Sequence, residues 1–100
     1  MSHCAEVERV LDSDPEVIEV ALFGVPDERM GERAIAAVNL REGSARSEDE
    51  LRAVAKAELA DYKIPAEFVF DFGTFPRNVT GKVEKPKLKA WYLERAGEPV

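Results

Sequence analysis

From Val17 to Val25 the chain reads Val-Ile-Glu-Val-Ala-Leu-Phe-Gly-Val and stops at Pro26. β-Branched and apolar side chains suit a pleated, extended backbone, and a run with so little alternation is read as a mostly buried strand. A second such run, Ala34 to Leu40, is the natural partner. Between them Pro26-Asp27-Glu28-Arg29-Met30-Gly31-Glu32 is longer than a tight hairpin requires, and loops of that kind often carry function. Two strands alone cannot bury such surfaces, so the rest of the chain must supply the cover.

Three helical patterns answer that need. Val7, Val10 and Leu11 recur at the i, i+3, i+4 spacing of one helix face before Asp12-Ser13-Asp14-Pro15 breaks the run. Ser47-Glu48-Asp49-Glu50 is a capping box, in which the serine and the third residue of the helix satisfy each other's amides. Leu51, Val54, Ala55 and Leu59 then share a face, and Asp61-Tyr62-Lys63-Ile64-Pro65 is expected to end the helix. Phe68, Phe70 and Phe72 alternate with Val69 and Asp71, predicting a third strand with one strongly buried face. Pro86 suits the first turn of a last helix, with Leu88, Trp91 and Tyr92 on its inner face. The expected fold is α+β: a small three-stranded sheet with helices packed on it, in the order α-β-β-α-β-α, the strand order being open.

At 100 residues the chain is one domain, with a single core and little room for a two-lobed cleft. Its net charge of −6 is uneven, since residues 77–100 hold six basic side chains against three acidic ones. An acidic chain argues against nucleic acid, whose phosphates dominate affinity, whereas the basic tail suits a phosphorylated small molecule. The one cysteine, Cys4, closes no internal disulfide and reads as a small hydrophobe at a helix start. With neither a signal peptide nor a membrane span in the sequence, a cytoplasmic location is expected. No His or Cys cluster has metal-ligand spacing, so no metal site is expected.

The stretch that holds chemistry is Pro76-Arg77-Asn78-Val79-Thr80-Gly81-Lys82. Proline, asparagine and glycine give backbone geometries that regular elements avoid, so Pro76, Asn78 and Gly81 shape a loop that ends in Lys82. It is not a phosphate-binding P-loop, because Pro76 stands where that motif needs a glycine and Val83 where it needs Ser or Thr. A lysine at a loop tip can neutralise a developing oxyanion or phosphate oxygen, although spacing alone favours a solvated lysine beside a turn glycine.

Several stretches together resemble the C-terminal domain of the adenylate-forming acyl-activating family of acyl-CoA synthetases, aryl-CoA ligases, peptide-synthetase adenylation domains and luciferases. They are Ala5-Glu6-Val7-Glu8, Val20 to Asp27 with Gly31-Glu32, Asp61 to Pro65, and Pro76 to Val83. The resemblance implies that residues 4–96 form the mobile C-terminal domain of an acyl-CoA synthetase of fatty-acid metabolism, inactive alone, with the hinge and the large N-terminal domain lying outside this sequence. That enzyme joins a carboxylic acid to ATP, releasing pyrophosphate, and a thiol, here coenzyme A, then displaces AMP. Lys82 matches the family's adenylation lysine, while Gly24, Arg29, Met30 and Lys63 fall on the coenzyme A and pantetheine face. ATP and Mg2+ would be held mostly by the N-terminal domain, the main partner. After Lys82-Val83 many members continue with an apolar residue and Lys-Arg, whereas this chain has Glu84-Lys85-Pro86. A peptide-synthetase fragment and a free-standing interaction module are the other readings, and the acid substrate is not legible.

Overall fold

The computed structural model describes residues 4–27, 29, 31–70 and 72–94, together with the backbone of Arg95. In chain order these form α1 (Cys4–Asp12), β1 (Val17–Asp27), β2 (Gly31–Leu40), α2 (Glu48–Glu58), a 3-10 turn at Asp61–Lys63, β3 (Glu67–Val69) and α3 (Lys85–Arg95). The expected α+β order is the one observed. The sheet runs β1-β2-β3, with β1 and β2 antiparallel and β3 parallel to β2. Parallel neighbours need a crossover, and α2 supplies it.

The sheet is covered on both faces. Val7, Val10 and Leu11 of α1 and Leu51 and Ala55 of α2 pack against Leu22, Ala36, Val38 and Phe68. On the other side Leu88 and Tyr92 of α3, with Phe75, cover Ala21, Phe23, Val25, Ile35, Ala37 and Val69. Register explains the sorting, since Leu22 pairs with Ala36 on one face and Phe23 with Ile35 on the other.

One irregularity decides which core Val17 joins. Val17 pairs with Leu40 but Glu19 pairs with Asn39, so Ile18 is an extra residue, 60% exposed. This bulge turns Val17 into the α1–α2 core although its odd number would otherwise send it to the α3 face.

Five local expectations differ from what is observed. β1 does not stop at Pro26 but runs on to Asp27, because it is an edge strand, where a residue without an N–H is tolerated. β2 starts at Gly31 rather than Ala34, so Asp27 pairs with Gly31 and the connection is shorter than the expected loop. The phenylalanine strand is only three residues long and buried on both sides, Phe68 towards α1–α2 and Val69 towards α3. Trp91 is 37% exposed and meets Phe72 edge-on, so it borders the inner face of α3 instead of filling it. The second helix also ends early, with Leu59 extended at φ −118°, ψ 151°.

Polar ties lock the layers. The capping box is formed, Ser47 Oγ accepting from the Glu50 amide and the Glu50 carboxylate from the Ser47 amide. Arg33 donates to the Tyr92 hydroxyl at 2.9 Å, and that hydroxyl donates to Glu67 at 2.6 Å, joining β2, α3 and β3. Burial first, then the bond to Glu67, pushes the Tyr92 phenol above its usual pKa, and the bond to Tyr92 does the same for Arg33. On the outer edge of β1, Glu8 Oε2 takes the Leu22 N–H at 2.7 Å and the Lys85 ammonium at 2.8 Å, holding the start of α3 to α1.

Candidate active-site loop

Buried Phe75 anchors the chain to the α3 face, and the next residues rise from it as a small hairpin. Arg77 and Val83 form an antiparallel bridge, and the Glu84 N–H donates to the Pro76 carbonyl at 2.8 Å, so both legs are paired. At the tip the Gly81 N–H donates to Asn78 O at 2.9 Å, and Gly81 has φ +86°. A four-residue turn followed by one left-handed residue is a common three-residue hairpin closure, and glycine supplies that last conformation without a Cβ clash.

Asn78 organises the interior of the turn. Its Oδ1 accepts from the Thr80 N–H at 2.9 Å, the Thr80 hydroxyl at 2.7 Å and the Lys82 N–H at 3.0 Å. Its own N–H donates to the Lys82 carbonyl at 2.9 Å. Both backbone groups of Lys82 are therefore fixed by one residue, while the lysine side chain is exposed. Nearby acids occupy the neighbouring cations: Arg77 pairs with Glu19, Lys85 with Glu8, and Lys87 with Glu84. From Arg77 to Lys87, Lys82 alone among the described residues makes no ion pair. Between Arg77 and Lys87 the one ammonium left free among the described residues is therefore that of Lys82, on the loop.

Gly24 lies in the middle of β1, and a Cβ there would come within 2.3–2.7 Å of the Glu32 carboxyl atoms. It borders an open groove of about 350 Å³ with Cys4, Leu22, Phe23, Glu32, Lys85, Pro86 and Lys89. Cys4, half-buried, packs against the core there as a small hydrophobe. Arg29 is exposed at the hairpin tip, where its N–H donates to Asp27 Oδ1 at 3.1 Å. Met30 lies outside the described residues. Lys63 stands apart from these on the 3-10 turn, bonded to Glu6 of α1 at 2.8 Å, and that bond holds its pKa above the ordinary lysine value. Gly24 and Arg29 thus share the closed half of the β1–β2 hairpin, whereas the Lys82 loop is tied to its open end through Glu19. Among the described residues no three His, Cys, Asp or Glu side chains come together to hold a metal ion, and no helix is long and apolar enough to cross a membrane.

The family described as AMP-binding enzyme C-terminal domain matches residues 6–82, ending on Lys82 itself. The chain belongs to this family. As an AMP-binding enzyme C-terminal domain it is 39% identical over 85 residues to the mitochondrial medium-chain acyl-CoA ligase ACSF2 of Danio rerio, covering 85% of this chain and 14% of that protein. It is 41% identical over 95 residues to the mitochondrial malonate–CoA ligase ACSF3 of Bos taurus, covering 94% of this chain and 16% of that one. Among solved structures, ATP-bound MatB from Rhodopseudomonas palustris superposes with a TM-score of 0.83 at 32% identity, over 89% of this chain and 18% of that one. This C-terminal domain accordingly spans only about a sixth of the length of such relatives.

The loop-shaping residues were legible because turn chemistry is local. Glu19, Asn39 and Arg77, which tie the loop to the sheet, were missed. A signal existed: Glu19 and Asn39 are polar residues set inside two otherwise apolar strands.

Proposed function

We propose that this chain serves as the C-terminal domain of an acyl-CoA ligase and that Lys82 is its catalytic residue in the adenylation half-reaction. In that reaction a carboxylate oxygen attacks the α-phosphorus of ATP, the bond to the β-phosphate oxygen breaks, and acyl-adenylate and pyrophosphate form. In the second half-reaction the sulfur of coenzyme A attacks the acyl carbon, AMP leaves with the bonding pair, and the thiol proton passes to solvent. The observation that carries the reading is the exposed, unpaired Lys82 ammonium on a loop whose backbone is clamped. A fixed cation of this kind stabilises charge that develops on carboxylate and phosphate oxygens and moves no proton. ATP, its Mg2+ and the acid would be bound mostly by the large N-terminal domain, so this domain alone would be inactive.

The choice of acid is assigned by the same division. Relatives of nearly equal similarity are named for chemically different acids, a medium-chain acid and malonate, so the acid pocket is assigned to the other domain. Gly24, Arg29, Met30 and Lys63 are assigned to the thioester half-reaction. Glu19 and Gly24 lie five residues apart on β1, about 17 Å of extended chain. Their opposite parity puts them on opposite faces of the strand, in keeping with a domain that presents one end and then the other.

The test uses the full-length enzyme with Lys82→Ala. Pyrophosphate exchange should fall by a few hundredfold, the equivalent of about 3–4 kcal/mol of transition-state stabilisation. Thioester formation from supplied acyl-adenylate should persist. Equal loss of both half-reactions would overturn the assignment.

A further inference from the structure

The Gly81–Lys82 peptide is gripped at both of its polar atoms. Its N–H is held by Asn78 Oδ1 at 3.0 Å, and its carbonyl oxygen, that of Gly81, accepts from Arg77 Nη1 at 2.9 Å. The second arm of the same guanidinium, Nη2, is bonded to Glu19 Oε1 on β1. Glu19 is itself fixed, because its Oε2 accepts from Asn39 Nδ2 of β2 at 2.7 Å, and that amide also donates to Gly73 O at 2.8 Å. A continuous line of charge-assisted bonds therefore runs from two adjacent strands, through one planar fork, to the peptide that carries Lys82.

Resting on the reading of Lys82 above, we propose that Arg77, seated on Glu19, is a positioning residue that sets the direction in which Lys82 leaves the loop. A peptide plane held at its N–H and at its carbonyl cannot rotate, and the Cα–Cβ bond of Lys82 is fixed with it. Asn78 alone would leave the carbonyl side free to swing. A lysine at position 77 could keep the ion pair with Glu19 but lacks the planar fork that reaches two acceptors at once. Glu19 shares its parity along β1 with Ala21, Phe23 and Val25, which puts it on the α3 face below the loop.

The test uses the full-length enzyme with Arg77→Met, Arg77→Lys, Glu19→Ala and the double variant Arg77→Met with Glu19→Ala. Displacing a reacting group by about 1 Å costs on the order of a hundredfold, so Arg77→Met should lower kcat for pyrophosphate exchange by about tenfold to a hundredfold. KM for ATP and acid should stay within about twofold, because positioning of this kind acts in the transition state. Thioester formation from supplied acyl-adenylate should be unchanged. Arg77→Lys should fall between Arg77→Met and the parent. Glu19→Ala should resemble Arg77→Met, and the double variant should be no worse than either single one, since both sever one line of bonds. Amide hydrogen exchange across residues 76–84 should quicken in the same variants.

Adenylation within twofold of the parent, unaltered exchange, additive losses, or equal damage to both half-reactions would each overturn the proposal. The Lys82→Ala variant separates the two readings. If it leaves adenylation intact, the role of Lys82 falls and the rate effect of Arg77 falls with it. If it abolishes adenylation while Arg77→Met does not slow it, only the positioning role is lost.

Discussion

Two glycines of this domain are glycine for different reasons, and the difference can be measured. Gly81 has φ +86° with nothing within 4 Å of a built Cβ, so a side chain there meets no neighbour, only the strain of the left-handed region. Gly81→Ala should cost about 1–2 kcal/mol in chemical denaturation, with the strain stored in the loop. Gly24 has no positive φ, and its would-be Cβ meets the end of the exposed, flexible Glu32 side chain, which can turn away. Gly24→Ala should therefore change stability by less than about 1 kcal/mol, the usual range for a substitution that disturbs no buried group. A loss of thioester formation in Gly24→Ala at unchanged denaturation midpoint would show that the glycine keeps space for the pantetheine arm, whereas a large loss of stability would show a structural role. At this scale the candidate site was half legible. Asn78, Gly81 and Lys82 announce themselves because a turn is specified by its own residues. The partner of Arg77 lies 58 positions away, and only tertiary folding reveals which carboxylate it meets.

Among the elements, α1 and α2 were legible from the periodic apolar face of a helix and the first two strands from continuous β-branched and apolar runs, although an end of β1, of β2 and of α2 lies elsewhere than expected. The third strand was legible as a strand, but its length and its burial on both sides were not. Phe68, Phe70 and Phe72 look like one buried face, yet β3 is a short strand in a sheet covered on both sides, and its burial follows from the layers above and below it. It is held partly by Arg52 of α2, which donates to Pro65 O at 2.8 Å and lies over the Phe68 ring at 5.1 Å. The last helix is joined to β3 through Tyr92, and this joint carries a pH dependence. A phenol whose folded pKa is raised contributes stability that is fully present below its unfolded pKa, about 10, and that disappears as pH rises through the folded value. The melting temperature should therefore drop as pH rises above about 10. Lys63, also raised, through Glu6, adds to the same alkaline loss, so Tyr92→Phe should flatten the drop without abolishing it. At neutral pH Tyr92→Phe should cost about 1 kcal/mol by breaking both bonds of the hydroxyl. A melting profile above pH 10 that is identical for the two proteins would show that Tyr92 is not the titrating group.

Across the whole molecule the sheet separates the Lys82 loop from the hairpin tip that carries Arg29. The Lys82 loop is tied to Glu19, and Arg29 lies in the connection between Asp27 and Gly31, where the hairpin closes. Glu19 to Asp27 is eight residues of β1, about 27 Å of extended strand. Charges in solvent are screened over about 8 Å at physiological ionic strength, so Arg29 cannot be felt at the phosphate that Lys82 would approach. On the function proposed above, the two ends would serve two half-reactions by presenting themselves in turn to one nucleotide-binding surface, which a rigid rotation of this small domain would achieve. Arg29→Ala makes the separation measurable in the full-length enzyme. An exposed cation contributes up to about 1 kcal/mol to an ionic contact, so KM for coenzyme A should rise by no more than about fivefold. Pyrophosphate exchange should be untouched, and raising the salt concentration should shrink the difference between variant and parent, since screening already weakens the contact in the latter. A fall in pyrophosphate exchange with Arg29→Ala, matching the rise in KM for coenzyme A, would mean that the ends are not independent and that the domain works from a single pose.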